Sequence, residues 1–515
     1  MSIWDAALFG LMATGGVYSF VYLFPFPQFF SPGFSATWLI IFTMVFAVLS
    51  YFVYAGLGSA MPRAGGDYLY ETRTVARIVG FAIPWGSQVV AWLVFPVTGA
   101  FVINTLGLIP ICTAFGLDSA ASWLATPAGG TVVAFVVILI EWALAAGGLR
   151  YFRIAQRYVF VPFMVIGMAA IIVLFLVKWN ADYVVAFNTY NAAEGITVAS
   201  VHEAATKAGM VVTGFSLYNT AIWIGVLAGI IPYTMYAAQG MLGEVKEASN
   251  FGRLFKTFLL PGMFMGIFML LIPWLLVQHA FTNTFLNEFA VAYGSGGIAP
   301  AYSPNINVFV AMLEPNKWAI LVVSLGFIGG GFGISSTVLM NASRVMMAMS
   351  LDRLLPAIMS KVSTRTYTPV IGISIWAVVS AVIGVWFNYG DQALVLAILT
   401  SGMVTSTLVV GVTCLGGALF AYRAPDIYAS APVKRYTIGG SFPLITLIGG
   451  IAAAWVALMI YWAIVKPELG IAYSTPRIFL SIAYGSGVVV YFLWRLIERS
   501  RGVDLSLSAR EVPPE

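Results

Sequence analysis

Residues 54 to 73 read Tyr-Ala-Gly-Leu-Gly-Ser-Ala-Met-Pro-Arg-Ala-Gly-Gly-Asp-Tyr-Leu-Tyr-Glu-Thr-Arg. This stretch is a polar, glycine-broken junction between two strongly apolar segments. A helix needs about 20 apolar residues to cross the hydrocarbon layer of a membrane. Outward from the junction, such stretches recur about twelve times, at roughly 6–26, 36–60, 80–110, 130–148, 156–178, 220–240, 256–279, 317–348, 369–388, 392–421, 441–465 and 478–497. The 515-residue chain is 60% hydrophobic and 9% charged, whereas soluble domains carry about 25% charged residues. The apolar stretches hardly ever alternate with period two, which argues against a barrel. Backbone groups in lipid must then be satisfied within helices. The expected fold is an all-α polytopic membrane protein with twelve transmembrane helices.

Lys and Arg give the orientation. With a cytoplasmic N-terminus, 20 of the 25 basic residues fall on the inside and 5 outside, the latter being Lys178, Lys207, Lys317, Lys466 and Arg477. One span more or fewer in the first half would scramble that tally. It predicts a multi-pass protein of the cell membrane with both termini cytoplasmic. The net charge of +5 is thereby explained without a nucleic-acid partner. The first segment lacks the basic n-region and A-x-A site of a cleavable signal. Cys112 and Cys414 read as packing residues, His202 and His279 lie at or beyond the membrane edge, and no P-loop suggests use of ATP. Two outer loops are long, 179–219 and 280–316, and a short helix is expected near Asn283–Val291 over the outer mouth. The tail from about Arg499 to Glu515 reads as polar and mobile.

Two spans are interrupted. The first contains Ala13-Thr14-Gly15-Gly16-Val17-Tyr18 and the sixth Gly229-Ile230-Ile231-Pro232-Tyr233-Thr234-Met235. A break exposes N–H and C=O groups, which lipid excludes unless they line a cavity, and paired breaks in two halves mark transporter sites. N–H groups at Gly15 and Gly16 would suit a carboxylate. Carbonyls near Ile230–Tyr233 would suit an ammonium. A free amino acid carries both charges. The expected substrate contacts are Thr14, Gly15, Gly16, Val17, Ile230, Ile231, Tyr233 and Thr234, with Tyr18 and Tyr233 as aromatic gates.

Met61-Pro62-Arg63-Ala64-Gly65-Gly66-Asp67-Tyr68-Leu69-Tyr70 resembles the loop after the second helix of amino acid–polyamine–organocation (APC) transporters. Thr14–Tyr18 resembles the Gly-Ser-Gly-Ile-Phe segment of their first helix, with Thr14 and Gly15 departing from it. Gly243–Glu247 and Ala342–Pro356 are similar to the family's runs after helices six and eight. The resemblance covers about residues 8–370. It implies a 5+5 inverted repeat with broken helices 1 and 6, divided as 1–178 (first repeat), 179–219 (outer loop), 220–421 (second repeat), 422–497 (helices 11 and 12) and 498–515 (tail). It implies an amino acid permease working by alternating access, not an enzyme, driven by Na⁺, H⁺ or exchange. A polyamine or organocation carrier of the same fold is the alternative, and a channel or membrane enzyme the rival from another class.

The junction also has a mechanical reading. Gly65-Gly66 allow a sharp turn. Arg63, Asp67, Glu71 and Arg73 are expected to latch an inner gate by pairing with the loops at 150–157 and 349–365. Glu141 is the clear mid-span acid and a candidate proton carrier. Ser335 and Ser336 match the two hydroxyls that hold Na⁺ in sodium-coupled relatives. The lysine that some proton-coupled relatives carry in span five is missing here.

Overall fold

The computed structural model describes residues 1–211, 214–227, 230–300, 302, 304–390, 392–469 and 474–503, with side chains except at 18, 21–22, 226–227 and 392–403. Gly229 and the end of the tail lie outside the described residues, as does the side chain of the expected gate Tyr18. The chain is an all-α membrane protein. Among the described residues, ten helices are long and apolar enough to cross a membrane.

In chain order the elements that matter below are α1 (Ile3–Ala13), α2 (Ala36–Ala60), α3 (Gly66–Thr74), α4 (Arg77–Ala114), α5 (Pro127–Ala146) and α6 (Leu149–Val177). The second half contributes α7 (Tyr236–Gly240), α8 (Phe251–Phe281), α9 (Asn283–Gly294), α10 (Lys317–Leu351), α11 (Val370–Tyr389) and α12 (Gln392–Arg423). α13 (Leu444–Val465) and α14 (Ser474–Ser500) follow. The ten long helices are α2, α4, α5, α6, α8 and α10–α14. The two remaining predicted segments, 6–26 and 220–240, are broken. α1 gives way to a 3-10 helix at Gly16–Tyr22. The sixth segment continues through a 3-10 turn at Ile231–Met235 into α7.

Local sequence explains these boundaries. Ser2 caps α1, accepting from the Asp5 N–H while the Asp5 carboxylate accepts from the Ser2 N–H, a reciprocal box worth about 1 kcal/mol. Gly15 and Gly16, at φ 72° and 53°, stop α1 in a left-handed conformation that other residues enter at a cost of about 1–2 kcal/mol. Small residues set the helix contacts, because lipid supplies no hydrophobic drive between helices. A Cβ at Gly167 of α6 would sit 2.4 Å from Gly326 Cα of α10. One at Gly449 of α13 would sit 2.6 Å from the Cys414 carbonyl of α12. α13 and α14 leave broad apolar faces exposed, including Leu458, Ile478, Ile482, Val489 and Leu496. The expected outer helix is present as α9, whose Gly294 lies against the Phe29 ring.

Candidate substrate site and gates

The second break packs against α1, just ahead of the first break. A Cβ at Gly10 of α1 would meet the Thr234 carbonyl oxygen at 2.0 Å. Glycine alone permits this approach. Thr14, Val17, Ile230, Ile231, Tyr233 and Thr234 are all buried. At the first break the Gly15 N–H is already used, donating to the Met12 carbonyl at 3.0 Å. Gly16 N–H lies 3.4 Å from Thr14 Oγ1, so it is the less committed donor. The expected pair of anion donors therefore reduces to Gly16 and the start of the 3-10 helix, whose first N–H groups lack an intrahelical acceptor. The Thr14 hydroxyl turns back to the Leu11 carbonyl at 2.6 Å.

At the second break the carbonyls are more occupied than the sequence suggests. Ile230 accepts from the Tyr233 N–H at 3.0 Å. Ile231 accepts from the Tyr51 hydroxyl of α2 at 2.6 Å. Thr234 Oγ1 lies 2.7 Å from that hydroxyl and 3.0 Å from the Phe258 carbonyl of α8. A carbonyl has two lone pairs, so Ile230 can accept once more, whereas the Ile231 carbonyl also has Thr234 Oγ1 at 3.4 Å. Tyr51 escapes a sequence reading because nothing marks it among the aromatics of α2. Tyr51→Phe should lower stability by about 1–3 kcal/mol by leaving buried partners unsatisfied. A thermal unfolding temperature equal to wild type in detergent would refute that role.

Aromatic rings enclose the second break. Tyr233 and Tyr236 are 5.2 Å apart between centroids, Trp92 of α4 is 5.2 Å from Tyr236, and Phe9 of α1 is 6.0 Å from it. Neither tyrosine hydroxyl meets full hydrogen-bond geometry with a described residue, although Ser406 stands close to that of Tyr233 and Asn341 to that of Tyr236. Tyr233, expected as a gate, lies within this cluster, while Trp92 and Phe9 were not anticipated.

The face carrying the N-terminus is closed by ion pairs. Tyr68 donates to Asp352 at 2.6 Å, and Arg73 Nη1 lies 3.2 Å from the same carboxylate. Arg344, fully buried, pairs with Glu244 at 3.0 Å. Arg157 pairs with Asp5 at 2.6 Å. The expected reach of the junction to the 349–365 loop is therefore made by Arg73. Asp67 and Glu71 depart from their expected pairing with basic residues. Both are fully buried, and the Thr413 hydroxyl of α12 lies 2.8 Å from Asp67 and 3.2 Å from Glu71. Gln88 donates to Asp67 at 2.5 Å. Burial pushes the Asp67 carboxyl up to about 7, against hydrogen bonds from Tyr54, Thr413, Gln88 and Gln239. Burial, then the nearby Asp67 charge, push Glu71 well above the ordinary carboxylate range. Arg63 instead lines a cleft of about 1100 Å³ with Tyr68, Arg150, Glu244, Asp352 and Arg365.

The ion-site residues are brought together differently from the expectation. Ser335 donates to Glu141 and lies 2.6 Å from the Gly331 carbonyl, and Ser336 donates to the Phe332 carbonyl. Met164 of α6 fills the space beside the first break: a Cβ on Gly16 would meet its Cε at 2.6 Å, and one on Gly333 its Sδ at 3.3 Å. Each serine hydroxyl spends its one proton on its carboxylate or carbonyl acceptor and keeps its oxygen lone pairs. Glu141 is tied to α10 through Ser335, joining spans four and eight. No group of three His, Cys, Asp or Glu able to hold a metal occurs among the described residues.

The amino acid permease family matches residues 2–488. The chain belongs to that family. No curated protein matches it. Amino acid permeases are membrane transporters, in keeping with the many apolar helices and the two broken segments. The family match extends well beyond residues 8–370, taking in α11 to α13 and most of α14, where the sequence offered only generic apolar segments.

Proposed function

We propose that this permease is a secondary active transporter that carries amino acids across the cell membrane by alternating access, with its N-terminal face cytoplasmic. The observation that carries the reading is the seating of the broken sixth span against the helix that leads into the first break, with Gly10 against the Thr234 carbonyl and the Tyr233 and Tyr236 rings beside it. Gly16 and the first turn after it receive the substrate carboxylate. The Ile230 carbonyl, with Ile231 beside it, receives the ammonium, and Tyr233 and Tyr236 wall the side chain. The halves 1–178 and 220–421 act as inverted repeats, and the Arg73–Asp352 and Arg344–Glu244 pairs part when the inner gate opens. Drive comes from an ion gradient or from exchange.

Uptake of radiolabelled amino acids into proteoliposomes, with Na⁺ and pH gradients imposed separately, tests this. Saturable uptake of at least one amino acid is expected. Failure of every amino acid to enter would overturn the reading.

A further inference from the structure

A second polar centre lies away from the breaks, between α3, α4, α12 and α7. Its core is Asp67 and Glu71, one helical turn apart on α3 and both buried. Among the described residues neither carboxyl is in an ion pair. Arg73, on the same helix, directs Nη1 to Asp352. The remaining titratable groups around them are neutral in kind: Tyr54, Tyr70, Cys414, Tyr233 and Tyr236 around Asp67, and Tyr484 of α14 beside Glu71.

Hydrogen counting then decides the charge. Thr413 has one hydroxyl proton and sits between the two carboxyls. It can donate to only one of them. Asp67 has the richer set of donors, with Gln88 and Thr413 at hydrogen-bond distance and Tyr54 and Gln239 beside it. Glu71 has Thr413 alone, and its Oε2 is buried without a partner. The consistent arrangement has a proton on Glu71, which donates to Thr413 Oγ1, which in turn donates to an anionic Asp67. Two buried carboxylates this close with no cation would both be strongly disfavoured as anions. Two further acceptors at the centre, Gln88 Oε1 and Gln239 Oε1, are also buried without donors. The centre is thus rich in lone pairs and short of protons.

The centre also touches the moving parts. Gln239 of α7 lies 3.4 Å from the Tyr54 hydroxyl. The Gly65 N–H, just before α3, donates to the Gly240 carbonyl at 3.0 Å. We propose that Asp67 and Glu71 form the proton-binding site of this transporter, taking up one further proton on Asp67 and linking its arrival to release of α7 at the inner gate. A neutral Asp67 is a weaker acceptor than the carboxylate, so protonation loosens its grip on Gln88, Tyr54 and Gln239. The proton enters from the more acidic side and leaves from Asp67 when the gate faces the cytoplasm. The proposal rests on the transport reading above.

The test uses the full-length protein in proteoliposomes with an internal pH dye. Wild type is expected to take up substrate faster with an acid exterior, to acidify the lumen with it, and to ignore Na⁺. In Asp67→Asn, the ratio of uptake with and without the pH gradient should fall to about one, and substrate-linked acidification should vanish. Thr413→Val removes a donor to the Asp67 anion. The half-maximal pH of uptake should then move to the alkaline side by about one unit. Wild-type uptake that proceeds without proton movement, or that follows Na⁺, overturns the proton site while leaving the transport reading intact. So does a Thr413→Val midpoint that stays in place, or an Asp67→Asn protein that keeps its pH-driven uptake. Absence of any wild-type uptake would instead fall on the transport reading.

Discussion

Replacing Gly66 by alanine is expected to reduce transport to below a tenth of wild type. Gly66 has φ 25°, and a Cβ there would lie 2.3 Å from both the Ala238 carbonyl oxygen and the Gln239 carbonyl carbon. Those atoms are backbone, so no rotamer change relieves the contact. Around this point the junction is zipped to the end of the broken sixth span. Gly65 donates to Gly240, and Ala64 pairs with Met241 in an antiparallel bridge. Overpacking of a close contact costs about 1–3 kcal/mol, and about 1.4 kcal/mol is tenfold in an equilibrium. Forcing α3 from α7 would hold the inner gate ajar and displace Asp67 from its donors. The control is Gly439→Ala. Gly439 also has positive φ, at 58°, but its Cβ would meet nothing within 4 Å. Gly439→Ala should transport nearly as wild type. Initial uptake rates, normalised to monodisperse protein, measure both. A Gly66→Ala rate above half of wild type would show that α3 and α7 need not touch.

The second large effect is expected from Arg73→Ala. The Arg73 and Asp352 side chains are nearly inaccessible, and Arg73 Nη1 also lies 2.6 Å from Thr72 Oγ1. Removing one member of a buried pair leaves an uncompensated charge and costs about 3–5 kcal/mol. The purified variant should unfold at a distinctly lower temperature than wild type. Arg73→Ala/Asp352→Ala should recover part of the loss, because the stranded carboxylate is gone and only packing and the Tyr68 bond are missing. Thermal unfolding of the four proteins completes the cycle. Effects that simply add would mean that the pair contributes no coupling energy to the closed gate.

The two predictions fall on the junction that marks the family, and they separate what was legible in it. Gly65-Gly66 were readable as a turn, since consecutive glycines before an acidic helix start have a local cause. The contact that demands Gly66 was not readable, because Ala238 and Gln239 lie about 170 positions away in the chain. Arg73 was readable as a partner for the 349–365 loop from its place in the junction. Asp67 was expected to form an ion pair as well, and only packing against α12 places it beside Thr413 instead. Tyr51, Trp92 and Met164 left no signal, being apolar residues in apolar helices. For the serines of α10 the sequence shows only hydroxyls in a helix, and that their own preceding carbonyls and Glu141 accept from them came from packing.

Length and apolar periodicity, the positions of glycine and proline, and the scarcity of charge sufficed for an all-α membrane protein with interrupted first and sixth segments. Those features follow from the solvent: lipid leaves the backbone few options, and a chain must state locally where it spans and where it breaks. The committed and spare donors at the breaks, the seat of Met164 beside the first break, and the sharing of Thr413 by two carboxyls came only from the tertiary structure. Hydrogen bonds are allotted by atoms within about 3 Å of each other, and the helices that bring those atoms together are distant in sequence.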